Sequence, residues 1–289
     1  MSSYNTTAEL ARFQSLWEER SLTPPSHSQE AWDKHSRDWV SELGPDGKGK
    51  RSMTERVRAT AGYLRGRGLL GRNDTVVDVG CGPGLFAAEF AKTAKHATGM
   101  DYAQAFIDYG TNYAKSNGIK NVSYTRCDFL ELDIESAGLT GAFDLVFSSI
   151  TPAATGKGCL GKLIQMSRAY CCNVSFVHAQ DDLASQVSRE VFGHEKPPKK
   201  DGKGFYALLN LLWFMGYYPE TYYYTDLRHE TSEPTEKSVA NIAHACDHES
   251  EEDIRRIADY LRSRGPITER NSEYRFGFIL WDTRVRHTR

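Results

Sequence analysis

The stretch Thr75–Gly84, Thr-Val-Val-Asp-Val-Gly-Cys-Gly-Pro-Gly, constrains the fold of this chain more than any other. Val76, Val77 and Val79 are β-branched and nearly continuous, which fits a short strand buried on both faces rather than an amphipathic one. Gly80, Gly82 and Gly84 follow, with a helix-like run from Leu85 to Ala94 behind them. Glycines at a strand-to-helix turn let the backbone bend sharply and approach a ligand closely. The helix that follows offers N–H groups without intrahelical partners to that ligand.

Downstream, strand and helix signals alternate, the pattern of an open parallel sheet. Strands are expected at Val76–Val79, Ala97–Met100, Val122–Arg126, Phe143–Ser148 and Cys171–Val177, with helices near Phe86–Ala94, Ala103–Asn117 and Leu160–Tyr170. A polar helix-like run, His178 to Phe192, leads into a Lys/Pro/Gly loop, Lys196 to Gly204, and an apolar helix, Phe205 to Met215. Tyr222–Leu227 and Tyr274–Trp281 read as the last two strands. Two helices lie between them: Val239, Ile242, Ala243 and Cys246 recur at i, i+3, i+4, i+7, as do Ile254, Ile257, Ala258 and Leu261. Ser250 with Asp253 starts the second of these like a capping box.

The region before the glycine turn reads as helical. Leu10, Phe13, Leu16 and Trp17 share one face, Pro24-Pro25 ends that unit, and a second helix from Ser28 to Leu43 carries Trp32, His35 and Trp39. Gly44-Pro45-Asp46-Gly47 is a turn signal, and a third helix covers Met53 to Arg67.

Two details narrow the ligand. The third glycine comes two residues after the second, not three, which departs from the dinucleotide fingerprint. Asp78, two residues before the first glycine, would repel a pyrophosphate but suits a ligand carrying an ammonium group. Asp78-x-Gly80-x-Gly82-x-Gly84 resembles motif I of the class I S-adenosylmethionine-dependent methyltransferases. The resemblance covers Thr75 to Val177 well and the flanks by architecture alone. It implies an α/β fold: a Rossmann-like seven-stranded sheet in the order 3-2-1-4-5-7-6 with helices on both faces. Residues 1–72 are then an N-terminal helical lid and 73–289 the methyltransferase domain, with a cofactor half over 73–178 and a substrate side over 179–289. In that family the last two strands usually form a tight hairpin, so the helical insertion here is a departure.

Ligands in such sheets bind at the carboxyl ends of the strands. Asp101 ends the second strand, 23 residues after Asp78, close to the distance at which a ribose-binding acid follows a glycine-rich turn. Tyr102 is placed to pack on an adenine. Arg126-Cys127-Asp128-Phe129, at the end of the third strand, resembles the family's adenine-contacting segment. Phe143 to Ser149 is similar to its fourth motif, whose tip lies beside the transferring methyl, and brings in Ser148 and Ser149. Asp101 and Asp128 equally suit a turn or a cap. The cofactor set implied is Asp78, Gly80, Cys81, Gly82, Gly84, Asp101, Tyr102, Cys127, Asp128, Phe129 and Ser148. The cofactor implied is S-adenosyl-L-methionine, leaving as S-adenosyl-L-homocysteine.

Methyl transfer from a sulfonium is an in-line displacement, so a protein must mainly hold nucleophile and methyl in line. A base is needed only where the acceptor is protonated at working pH. His178, after the fifth strand, is the candidate base or substrate contact; a polar first-turn histidine explains it equally well. Trp32 and His35, with Ser149, are the candidate substrate contacts, since aromatic lid helices cover the cofactor in small-molecule methyltransferases; ordinary interhelix packing is the alternative. Tyr217, Tyr218 and Tyr222 to Tyr224 divide between core and an aromatic acceptor pocket.

Composition sets the outer limits. The chain has 289 residues and a formal net charge of −2, which argues against a wholesale nucleic-acid or acidic-membrane binder. No apolar run approaches the roughly 20 residues that span a bilayer, and the N-terminus lacks a signal-peptide core. The cysteines at 81, 127, 159, 171, 172 and 246 form no Cys-x-x-Cys pair, so a reducing, cytoplasmic protein is expected. His244 and His248 are spaced for a metal on a helix but have no clear third ligand, and no metal is expected. The fourth strand ends Ser148-Ser149-Ile150-Thr151-Pro152, not in the Asn/Asp-Pro-Pro-aromatic tetrad of enzymes that methylate nucleobase amines. The acceptor expected is a small organic molecule. An RNA or protein acceptor bound through the basic stretches, or a non-catalytic cofactor-binding protein, are the alternatives.

Overall fold

The computed structural model describes residues 6–18, 29–44, 51–196 and 201–287. The turns expected at Pro24-Pro25 and Pro45-Asp46-Gly47, and residues 197–200 of the Lys/Pro/Gly loop, lie outside the described residues.

Three helices come first: α1 (Thr6–Glu18), α2 (Gln29–Leu43) and α3 (Arg51–Gly66). Then follow β1 (Thr75–Val79), α4 (Leu85–Phe90), β2 (His96–Asp101), α5 (Gln104–Ser116), β3 (Val122–Arg126), β4 (Phe143–Ser149) and α6 (Cys159–Met166). The remainder is β5 (Ser167–Asp181), α7 (Asp182–Phe192), α8 (Lys203–Phe214), β6 (Glu220–Ser232), α9 (Glu236–Cys246), α10 (Glu251–Ser263) and β7 (Thr268–Asp282). The strands form one seven-stranded sheet in the order β3-β2-β1-β4-β5-β7-β6, the order implied by the resemblance, with helices on both faces.

β1 is the central strand of the parallel half. Val76, Val77 and Val79 are at most 1% exposed, so the nearly continuous β-branched run is buried on both faces as its pattern requires. Beneath it Phe147 of β4 packs edge-on to Phe90, and Phe86 lies against both rings. The register pairs Asp78 with Gly99 on one side and with Phe147 on the other, and Ser148 with Asn173. Parallel pairing in this register brings the ends of β1, β2, β4 and β5 to one carboxyl edge, where an open α/β sheet holds its ligand.

The opposite edge is tied by Asp144. Its carboxylate accepts from the Thr75 backbone N–H at 2.8 Å and from the Arg168 Nε and Nη2 at 2.7 Å each, joining the starts of β1, β4 and β5. The Arg168 hydrogen bonds, with help from Thr75, pull the Asp144 carboxyl down to about 2. A carboxyl whose folded pKa is depressed stabilises the protein above its unfolded value and loses that contribution as pH falls through the folded one. Asp144→Asn is therefore expected to cost about 1–2 kcal/mol at neutral pH, discounted because Arg168 is half in water. In urea titrations the gap to wild type should close as pH approaches about 2. A gap unchanged with pH would show that the carboxylate is not the tie.

Around this sheet α1 packs on α8, with Phe13 stacked on Phe214 at 5.7 Å and edge-on to Tyr206 at 5.5 Å. α2 docks on α5 through Trp39 against Phe106 and through the Tyr109 hydroxyl, which donates to Gly44 O at 2.8 Å. Tyr63 of α3 stacks on Tyr222 at 4.5 Å, and burial pushes its hydroxyl up to about 12.

The chain divides into two compact units. One takes residues up to Ser175, Lys203–Tyr222 and from Gly277 on; the other is Phe176–Gly202 with Tyr223–Phe276. In the second, α7, α9 and α10 pack Leu183, Val187, Val239, Ile242, Ile257 and Leu261 into a core of its own. Three strands prove longer than their apolar pattern predicts. β5 starts at Ser167 and continues to Asp181, so His178 to Asp181 are strand where a helix is expected. β6 and β7 likewise run through Arg228–Ser232 and Thr268–Asn271. β6 in particular is exposed along most of its length. Backbone pairing holds such a strand without apolar alternation, and that alternation is the sequence signal for a strand.

Candidate functional site

At the end of β1 the backbone turns left-handed three times: φ is 68° at Gly80, 53° at Gly82 and 75° at Gly84. L-residues adopt this region at a steric cost, so glycine is required here rather than merely tolerated. The Gly80 and Cys81 N–H groups donate to Met100 O at 2.8 and 3.0 Å, folding the turn back on β2. Two of the glycines also make room for neighbours. A Cβ at Gly80 would fall 1.9 Å from Thr151 Oγ1, and one at Gly84 would fall 2.2 Å from the Tyr124 ring. Gly82 differs: a Cβ there would meet nothing within 4 Å, so its face opens onto unfilled space.

Two carboxylates belong to this turn. Asp101 accepts from the Gly82 N–H at 2.8 Å and from the Ala103 N–H at 3.0 Å, which fixes both of its oxygens against the turn. Burial pushes its pKa up, and those N–H groups hold it back. Asp78 is 1% exposed, and its Oδ2 has no hydrogen-bond partner. Burial pushes its pKa well above the usual carboxylate range, the Asp101 charge pushes it further, and Arg56 of α3 opposes both. A buried carboxylate oxygen without a donor is costly unless something supplies one. The Cys81 thiol is driven up by burial and by both aspartates, and Cys127 by burial and Asp128, so neither is a thiolate nucleophile.

The end of β3 joins the same edge. The Cys127 N–H donates to Asp101 O at 2.8 Å, and Arg126 Nε donates to Tyr102 O at 3.1 Å. Asp128 is exposed and closes a turn by accepting from the Leu130 N–H at 3.0 Å, while Phe129 behind it is 4% exposed. At the tip of β4, Ser148 Oγ accepts from Asn173 Nδ2 at 2.9 Å, and Ser175 donates to Asn173 Oδ1 at 2.8 Å. Ser149 Oγ is buried with no hydrogen-bond partner. Next to it Ile150 takes a φ of 51°, an outlier for a β-branched residue. Such strain costs about 1–3 kcal/mol and concentrates at ligand clamps.

Two carboxylates around an open glycine face suit a ligand with cationic groups and repel a phosphate chain. Residues 70–200 match the family described as a methyltransferase domain. The matched residues hold the glycine turn and the ends of β1 to β4, the part of the chain that resembles the class I S-adenosylmethionine-dependent methyltransferases. Among curated proteins the chain is 28% identical over 131 residues to EEF1A lysine methyltransferase 2 of Danio rerio, across 41% of this chain and 54% of that protein. It is 30% identical over 98 residues to the ubiquinone biosynthesis O-methyltransferase of Acinetobacter baumannii, across 33% of this chain and 40% of that protein. The chain thus spans about half the length of the curated relatives it matches, or less. Among solved structures, a coclaurine N-methyltransferase bound to N-methylheliamine and S-adenosylhomocysteine superposes with a TM-score of 0.52 at 13% identity, over 97% of this chain and 89% of that one, a likeness of fold.

Within the matched residues, Asp78, Gly80, Cys81, Gly82, Gly84, Asp101, Tyr102, Cys127, Asp128, Phe129, Ser148 and Ser149 lie at or just beyond the ends of β1 to β4. Trp32 and His35 meet each other edge to face on α2, 5.4 Å between centroids, with the His35 ring exposed. His178 sits inside β5 and lines a cavity of the second unit. Arg56, Tyr124, Thr151 and Asn173 bear on the site and are missed by the sequence reading. Gly99 opposite Tyr124 in the β2–β3 register was the available signal for one of them. Arg56 is hidden in a basic run that reads as a solvated helix face. Among the described residues no group of three or more His, Cys, Asp or Glu is gathered for a metal. His244 instead pairs with Glu249 at 2.8 Å, and His248 faces His194 at 3.0 Å.

Proposed function

We propose that this chain transfers a methyl group from S-adenosylmethionine to an O, N, S or C nucleophile of a small organic acceptor. The observation that carries the reading is the buried Asp78 carboxylate, with one oxygen undonated, at the root of a glycine turn whose Gly82 opens onto unfilled space. Asp78 receives the ammonium of the methionine tail, and Arg56, already acting on Asp78, faces its carboxylate. Asp101 has two N–H donors on its carboxylate, and an ionised carboxylate has about four acceptor sites, so it still accepts from both ribose hydroxyls. Tyr102, Cys127 and Phe129 line the adenine side, and Asp128 accepts from its exocyclic amine.

When bound, the donor supplies a methyl carbon already activated by its sulfonium. The chain has to orient the acceptor and exclude water. Ser148 is locked by the Asn173–Ser175 relay, and Ser149 presents a buried hydroxyl without a partner beside the strained Ile150. These groups position the acceptor at the β4 tip. A small acceptor is favoured by the likeness to the O-methyltransferase of Acinetobacter baumannii. The longer match to the lysine methyltransferase of Danio rerio supports a protein side chain as the second reading.

Incubating the chain with labelled donor and a metabolite extract, then with a protein extract, tests both. A metabolite that gains a methyl group is the expected result; label in protein alone would favour the second reading. Tight donor binding with label in neither would leave a non-catalytic cofactor-binding protein. Asp101→Ala is expected to weaken donor binding more than tenfold in calorimetry, through loss of charge-assisted ribose contacts worth about 1.5–3 kcal/mol. An unchanged dissociation constant would remove Asp101 from the ribose site.

A further inference from the structure

The second unit contains a cavity of about 610 Å³, walled by the end of β5, α7 and the residues after it, α9 and β7. That volume lies within the range of about 300–1,000 Å³ typical of small-molecule sites. Several charged side chains stand in its wall, and their charges are unevenly satisfied. Arg270 gives both Nε and Nη2 to Asp181 Oδ2, at 2.8 and 2.5 Å, while Asp181 Oδ1 caps α7 by accepting from the Ala184 N–H at 3.0 Å. Both Asp181 oxygens are thus committed. Glu195 is 79% exposed and meets Arg189 only loosely, at 3.8 Å. Lys196 is different: its side chain is nine-tenths buried, and its ammonium stands 3.8 Å from Asp247, outside hydrogen-bond range. Asp247 itself is two-thirds exposed.

An ammonium has three donors and no acceptor. Among the described residues the one counter-charge of Lys196 is distant and largely solvated, and burying an ammonium in that way is unfavourable unless a further anion completes it. The surrounding groups have the matching chemistry: Arg189 and the imidazoles of His178 and His244 line the same cavity, and Asp181 is already neutralised by Arg270. The volume exceeds what an inorganic ion needs. Tyr274, whose ring carries the Arg228 guanidinium 4.1 Å from its centroid, supplies an aromatic wall for an organic body.

From the buried Lys196 and the cationic lining of this cavity, we infer that the second unit binds a small organic oxyanion, a carboxylate or a phosphate monoester, with Lys196 as its principal contact. The inference goes beyond methyl transfer and does not depend on it. His178, an expected base on sequence grounds, becomes a ligand contact of this site.

Calorimetry on the full chain with two probes, benzoate and phenyl phosphate, tests this. Saturable binding of either is expected, and the tighter of the two names the anionic group. Lys196→Met is expected to weaken it at least tenfold and Lys196→Arg to retain most of it. Arg189→Gln, at a side chain more than half exposed and so harmless to folding, is expected to weaken it about threefold. Asp78→Asn should leave probe binding unchanged, which separates this site from the donor site. Failure of both probes to bind, wild-type affinity in both Lys196→Met and Arg189→Gln, or loss of binding in Asp78→Asn would each overturn the inference.

Discussion

Replacing Asp78 by Asn is expected to weaken S-adenosylmethionine binding by ten- to a hundredfold while shifting apoprotein stability in the variant's favour as pH rises. The two effects share one cause. Asp78 is buried, lacks a donor on Oδ2 and feels the charge of Asp101, so its folded pKa stands well above the usual carboxylate range. Between the unfolded and folded values the native state holds a proton that the unfolded chain has released. Stability therefore falls as pH rises through that window. Asn does not titrate and removes this slope. A cationic ligand acts in the opposite sense: by stabilising the ionised form it lowers the Asp78 pKa, so binding releases a proton and tightens as pH rises. Losing one charge-assisted hydrogen bond costs about 1.5–3 kcal/mol, which is the expected loss of affinity. Calorimetry across pH in two buffers of different ionisation enthalpy reads both the affinity and the proton. Equal affinities for wild type and variant, or affinity flat with pH, would mean that Asp78 does not face the ammonium.

The parallel half of the sheet is legible because its signals are local. Val122–Arg126 is a strand at the expected residues, and Val76–Val79 gains a single residue at its start. The apolar run, the glycine turn and the following helix all lie within a few residues of one another. The same holds for Gly80, Gly82 and Gly84, since a left-handed φ leaves its mark as glycine. The features that escape are those created by distant parts of the chain. Tyr124 earns its place through register with Gly99. Asp144 reads as part of a motif at the methyl-transfer tip, yet its side chain ties the opposite edge of the sheet, which depends on where Arg168 arrives. Lys196 opens a Lys/Pro/Gly loop whose composition reads as solvated, and only packing buries it. The extensions of β5, β6 and β7 escape because a two-sided polar strand has no period to read.

Gly84→Ala is expected to destabilise the chain by about 2–5 kcal/mol, more than the same substitution at Gly82, which faces open space. Two costs add. A left-handed backbone costs an L-residue about 1–2 kcal/mol, and the new methyl would stand 2.2 Å from Tyr124 Cε1, an overlap of the kind that costs about 1–3 kcal/mol. Tyr124 has little room to retreat. Cβ atoms at Gly99 and Gly110 would also come within 2.7 and 2.8 Å of its ring, and its hydroxyl donates to Gly84 O at 2.9 Å. Three glycines from three elements thus surround one tyrosine that fastens β3 to the motif turn. Gly82→Ala provides the control. Its φ of 53° brings the same backbone cost, but its Cβ meets nothing, so about 1–2 kcal/mol is expected, with the larger loss in donor affinity. Urea midpoints separate the two variants, provided the slopes agree. Adding Tyr124→Leu to Gly84→Ala should recover the steric share and leave the backbone share, a coupling that a double-mutant cycle reads directly. Should Gly84→Ala prove no worse than Gly82→Ala, the ring is not lodged against Gly84, and the turn is held by its hydrogen bonds to Met100 instead.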